Sequence, residues 1–123
     1  MLEEPLSFWG GLDPATGRIL DRWHPQAGAC VAGHILMMPG GRGSSSGSAT
    51  LAEAIRLGVG PAGILLLKRD AIVIVGALMA TELYSLPCPV ALAAREDWAQ
   101  LGAAARLEIL ARVDRTRIIA YEA

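Results

Sequence analysis

"GGRGSSSGSAT", residues 40–50, places four glycines, four serines and one arginine in eleven positions of an otherwise aliphatic chain. A flexible linker would have this composition, but the flanks argue against one. An apolar, strand-like run ends at Met38 and an amphipathic pattern begins at Leu51, so the segment joins two elements inside a folded unit. Leu51, Ala54, Ile55 and Gly58 fall at i, i+3, i+4 and i+7, which predicts a short helix ending near Gly58. Thr50-x-x-Glu53 fits a capping box and Ser48 fits a cap one or two residues earlier; both starts remain open, and either leaves the serines before or within the first turn.

Further out, residues 27–39 ("AGACVAGHILMMP") split into two period-two sets, both largely apolar, as in a strand covered on both faces. "AGILLL", residues 62–67, is bounded by Pro61 and by Lys68-Arg69-Asp70 and predicts a buried central strand. "AIVIVGALMATELYS", residues 71–85, has strand-like β-branched content, yet its length and the helical spacing of Ile72, Val75, Gly76, Met79 and Leu83 favour a helix. Pro87 and Pro89 break the chain, "VALA" at 90–93 reads as another buried strand, and residues 106–122 as one or two alternating strands. From Pro5 to Asp21, Gly-Gly, Asp-Pro and Thr-Gly punctuate short apolar pieces, the pattern of strands joined by tight turns. This order predicts an α+β layered domain rather than a regular βαβ winding.

The 123 residues suffice for a single domain, taken here as 1–123. With 53% hydrophobic and 19% charged residues, the chain has more apolar surface than an average soluble domain, which suggests a partner subunit. A net charge of −1, a pI near 6.1 and six aromatic residues argue against nucleic acid. The apolar run at 71–80 is too short for a membrane span, and the acidic, proline-containing start does not resemble an export signal. A cytoplasmic location is expected.

Cys30 and Cys88 are isolated thiols with no third cysteine or histidine cluster to complete a metal site, and each is expected to be a small buried apolar residue. His24, before Pro25, reads as a surface loop residue, His34 as a core residue of an apolar strand, and Asp13, before Pro14, as a turn residue. Glu82 reads as a solvated helix end.

A helix N-terminus presents unpaired backbone N–H groups and roughly half a positive charge, which suits a carboxylate or phosphate. Glycines at 40, 41, 43 and 47 let the main chain approach such a group, and Arg42 adds a planar fork. The residues therefore describe an anion-binding loop, with a simple turn and cap as the alternative. It is not a Walker loop, because the Gly-Lys-Ser/Thr ending is missing. A self-contained Ser-His-Asp hydrolase is disfavoured by the lack of nucleophile-elbow spacing.

Three stretches together, "EPLSFWGGLDPATGRILDRWHPQAG" (4–28), "GGRGSSSGS" (40–48) and "GALMATELYSLPCPVAL" (76–92), resemble the swivel domain of aconitase X, a family of hydro-lyases. The resemblance implies a swivelling β/β/α fold that closes over a large catalytic subunit carrying an iron–sulfur cluster or iron centre, with no cofactor bound by this chain. It implies that Ser44, the first serine after Gly43, takes the proton from the carbon next to the hydroxyl-bearing one, with Ser46 as second choice. Arg42, Gly43, Ser45, Ser46 and Ser48 become candidates for holding the substrate carboxylate. Family members dehydrate cis-3-hydroxy-L-proline in bacteria or mevalonate 5-phosphate in archaea. "GSSSGS" is closer to the bacterial form than to the archaeal Gly-Ser-Thr-Val-Gly-Ser, which favours hydroxyproline. A non-catalytic anion-binding module is the reading from a different functional class.

Overall fold

The computed structural model describes residues 2, 6, 8–22, 24–40, 46–104, 106–111 and 116–121. Its centre is a three-stranded sheet of β1 (Ile35–Met38), β2 (Gly63–Leu66) and β3 (Val90–Leu92), parallel throughout and in spatial order β1-β2-β3. The paired register runs Ile35 to Gly63, Leu36 to Ile64, Met37 to Leu65 and Met38 to Leu66. Two helices make the crossovers, α2 (Ser46–Arg56) between β1 and β2 and α3 (Ala71–Tyr84) between β2 and β3. Because both connections step the same way across the sheet, right-handed crossovers place both helices on one face, where they pack against each other.

These elements wind as a regular βαβαβ unit, which corrects the expectation that the element order is not a regular βαβ winding. The strands are only three or four residues long, so their pairing is carried by the crossover geometry more than by any extended apolar pattern. The overall α+β class stands, since an antiparallel hairpin follows the parallel sheet. Strands β4 (Arg106–Ala111) and β5 (Thr116–Tyr121) pair from Arg106 opposite Tyr121 to Ala111 opposite Thr116.

Alternation along the central strands sorts side chains between two layers. Leu36, Met38, Ile64 and Leu66 belong to the core shared with Leu51, Ala54 and Ile55 of α2 and Val73, Ala77 and Ala80 of α3. Met37 and Leu65, equally buried, take the opposite face. There the hairpin approaches: a Cβ built on Gly63 would lie 2.9 Å from Ile109 Cδ1 and 3.0 Å from Ile35 Cδ1, so the bare backbone at 63 makes room for the neighbouring layer. Helix α4 (Arg95–Ala103) leads from β3 to the hairpin, with no buried residue of its own, and lines a shallow hollow with Ile118 and Ala120 of β5. The layers therefore stack as β/β/α.

The amino-terminal third fulfils its reading only in part. A four-residue helix, α1 (Phe8–Gly11), and two isolated bridges, Leu12 to Ile19 and Arg18 to Cys30, stand where strands joined by turns are predicted. Turn signals recur too closely there for a ladder to extend. Asp13 is a turn residue as expected: its carboxylate accepts hydrogen bonds from Ala15 N at 2.9 Å and Thr16 Oγ1 at 3.0 Å. Leu2, Leu6, Phe8, Leu12, Ile19 and Val31 join the helix-side core. Trp23 and the side chain of Trp9 lie outside the described residues, and Trp98 is half-buried.

The predicted strand over 27–39 shortens to β1, because Gly28 and Gly33 take positive φ (87° and 71°) and turn the chain before Ile35. The two histidines consequently exchange their expected places. His34 is exposed in the bend preceding β1, whereas His24 is buried, with Nδ1 accepting from Gln26 N at 3.0 Å. Cys30 is exposed, against expectation, and Cys88 is buried. Glu82 is exposed.

Candidate functional site

The N-termini of α2 and α3 form the centre of the candidate site. Helix α2 begins at Ser46, earlier than either predicted cap, so Ser48 and Thr50 lie inside it. Their hydroxyls are engaged differently from a cap: Thr50 Oγ1 donates to Ser46 O at 3.2 Å, and Ser48 Oγ donates to Ile72 O at 2.7 Å. Glu53 forms no capping box with Thr50 and instead pairs with Arg56 one turn on, and that hydrogen bond lowers the Glu53 pKa from its ordinary value.

The Ser48 bond crosses to the first turn of α3. That turn is capped by Asp70, whose Oδ1 accepts from Val73 N at 3.0 Å. One turn further along α3, Gly76 lets the two helices touch: a Cβ there would come within 2.9 Å of Ser48 O and 3.1 Å of Leu51 Cδ2. At the other end, Ser85 adopts the left-handed conformation (φ 55°), its N–H donating to the Thr81 carbonyl at 3.1 Å and the Leu86 N–H to the Ala80 carbonyl at 3.3 Å. The two helix starts are thus held side by side by a cap, a hydrogen bond and a missing side chain. Sequence reasoning singled out neither Asp70 nor Gly76 for this purpose, although an aspartate directly before an apolar run is a helix-start signal.

Of the candidate site residues, Ser46 is exposed at the first position of α2 and Ser48 is buried, its proton directed to α3 and its oxygen lone pairs left as acceptors. Arg42, Gly43, Ser44 and Ser45 lie outside the described residues. Beside Ser48 and Ala49 runs an apolar groove of about 400 Å³, completed by Ala71, Ile72, Val75 and Met79 of α3. Glu82 stands ten residues beyond Ile72 on the same helix, roughly 15 Å along its axis, so it is remote from this end.

The anion-binding chemistry available at this end rests on the N-terminal amides of α2, directed toward the connection from β1. Among the described residues no group of three or more His, Cys, Asp or Glu side chains is placed to hold a metal ion, so these residues do not fit an iron centre. Burial pushes the Cys88 thiol up to about 12, a value unsuited to a nucleophile or metal ligand. No helix among the described residues is long and apolar enough to cross a membrane.

A β/β/α stack in which a glycine- and serine-rich connection enters the first crossover helix defines a swivel-type layered domain. Comparison with known proteins makes this specific. The family description "Aconitase X swivel domain" matches residues 1–119, and the chain belongs to that family. It is 46% identical over 111 residues to the cis-3-hydroxy-L-proline dehydratase of Pseudomonas aeruginosa, a match spanning 85% of this chain and 19% of that protein. It is 44% identical over 77 residues to the phosphomevalonate dehydratase small subunit of Methanothermobacter thermautotrophicus, across 63% of this chain and 59% of the other. The fold superposes on a chain of the Thermococcus kodakaraensis aconitase X crystal structure (holo-form) with a TM-score of 0.72 and 28% identity, covering 96% of this chain and 84% of that one. The chain thus spans about a fifth of the first relative and somewhat over half of the second.

Proposed function

We propose that residues 1–123 act as a single swivel domain of an aconitase X-type hydro-lyase in the cytoplasm, removing water from a hydroxy acid together with a large catalytic subunit. The observation that carries this reading is the family match over residues 1–119, with the serine-rich connection leading into α2. Cis-3-hydroxy-L-proline is the favoured substrate, because the Pseudomonas relative matches 85% of this chain against 63% for the phosphomevalonate dehydratase subunit. Phosphomevalonate is the second reading, supported by 44% identity within that shorter match.

Ser44 is the proposed base. It precedes Ser46 by two positions, and an alkoxide needs a positive field of the kind that a helix start supplies. The substrate carboxylate falls to Arg42, Gly43, Ser45 and Ser46, while Ser48 offers only its acceptor lone pairs, since its proton bonds to Ile72 O. An iron–sulfur cluster or iron centre on the large subunit would supply the Lewis acid that assists hydroxide departure.

The test is reconstitution with an aconitase X-type large chain from the same source, assayed in parallel on cis-3-hydroxy-L-proline and phosphomevalonate. Dehydration of the first, reduced about 10²- to 10⁴-fold in Ser44→Ala with the two chains still associated, is the expected result. Turnover of phosphomevalonate alone would transfer the assignment to that substrate. Carboxylate binding by this chain without a partner, and no dehydration with one, would make it a non-catalytic anion-binding module.

A further inference from the structure

Helix α3 is apolar on every side, and only part of it is covered. Its buried residues are Val73, Gly76, Ala77 and Ala80, whereas Val75, Leu78 and Leu83 are 47%, 58% and 64% exposed. Of the spacing that signals the helix in the sequence, Ile72, Val75, Gly76, Met79 and Leu83, only Gly76 is buried, against α2; Val75 and Leu83 are exposed and Ile72 and Met79 half-buried, so the side chains of that stripe lie toward the outer side. Glu82 is the only charged residue among the fourteen. An exposed helix face with this composition is unfavourable in water unless another body covers it.

The groove of Ser48, Ala49, Ala71, Ile72, Val75 and Met79 continues this face to the N-terminus of α2. Here, resting on the function proposed above, we infer that the outer face of α3, from Ile72 past Val75 and Leu78, is the surface on which the large catalytic subunit docks. Two observations select that occupant. A body that completes a site at the start of α2 must lie over the same end of the molecule, and the groove is lined at that start by Ser48 and Ala49, with no charged residue in its lining. In addition, the Pseudomonas relative has about four-fifths of its length outside the 19% matched by this chain, so a much larger body accompanies the domain there.

A second copy of this chain fits the face less well. Two-fold pairing of α3 on α3 about Leu78 would set Glu82 of each copy over apolar residues of the other, burying a carboxylate with no cation on either helix.

The experiment measures binding of the full chain to the large chain by light scattering and titration calorimetry, for wild type, Val75→Glu, Leu78→Glu and Leu20→Glu. Leu20 is 55% exposed and lies outside α3, so it serves as the control for adding a charge to an exposed apolar site. The expected result is at least about a tenfold loss of affinity in the two α3 variants, with unchanged thermal melting and a normal control. Wild-type affinity in both α3 variants would overturn the docking surface and leave the functional reading intact. A wild-type chain that binds no large chain would overturn both. A self-associating chain that the α3 substitutions render monomeric would assign the face to a second copy instead.

Discussion

The Ser48 hydroxyl donates a 2.7 Å hydrogen bond to the Ile72 carbonyl, tying the first turn of α2 to the first turn of α3 across 24 residues of sequence. In Ser48→Ala the Ile72 carbonyl retains the intrahelical N–H expected four residues on, so the loss is one net hydrogen bond and not a stranded acceptor. A cost of about 1 kcal/mol is expected, read as a lowered urea midpoint at constant m-value. A midpoint equal to wild type would show that this bond contributes nothing to holding the helix starts together.

Gly76→Ala sets two effects against each other. Alanine raises helix propensity by about 1 kcal/mol, while its methyl would lie 2.9 Å from the Ser48 carbonyl oxygen, a backbone atom that cannot rotate aside. Overpacking of this kind costs about 1–3 kcal/mol, so net destabilisation of up to about 2 kcal/mol is expected in thermal unfolding. A stabilised variant would mean that the helices separate at little cost.

The cap of α3 makes a third prediction. Asp70→Ala removes the acceptor for Val73 N and should cost about 1 kcal/mol, whereas Asp70→Asn and Asp70→Ser should recover most of it. Equal stability of all three substitutions would exclude capping as the reason for aspartate here.

Cys88 gives the fold a pH dependence of defined sign. Burial raises its folded-state value to about 12, above the ordinary 9.0, so between these limits the unfolded chain releases a proton that the folded chain keeps. The contribution is fully present below pH about 9 and is lost as pH rises toward 12, at up to roughly 1.4 kcal/mol per pH unit. Denaturant midpoints should therefore fall more steeply above pH 9 in wild type than in Cys88→Ala. In the same chain, iodoacetamide should label exposed Cys30 rapidly and buried Cys88 only on unfolding; simultaneous labelling would contradict the burial.

Legibility followed the range of the interactions involved. Strand β2, bounded by a proline and a charged triplet, and the alternating hairpin strands carry their signals within a few residues and are where the sequence puts them. Helix α3 was recognisable by length and spacing, but the same spacing did not reveal which side would be packed, because nearly every side is apolar. The histidines exchanged places because positive-φ glycines at 28 and 33 end the strand pattern that assigned His34 to the core. Helix α4, with no buried residue, has no apolar stripe by which to announce itself. At the site, the serine-rich entry to α2 was evident, while the partner of Ser48 was hidden by its distance along the chain. The candidate base, Ser44, was assigned from family resemblance and lies outside the described residues.

The absent side chain at Gly63 makes the two halves of the interior separately adjustable. Enlarging that position would press on the terminal methyl groups of Ile109 in the hairpin and Ile35 in β1, while Ile64 and Leu66 belong to the opposite layer, with the crossover helices. Sequence drift on the hairpin side can thus proceed with little mechanical consequence for the helix starts where the proposed chemistry would take place.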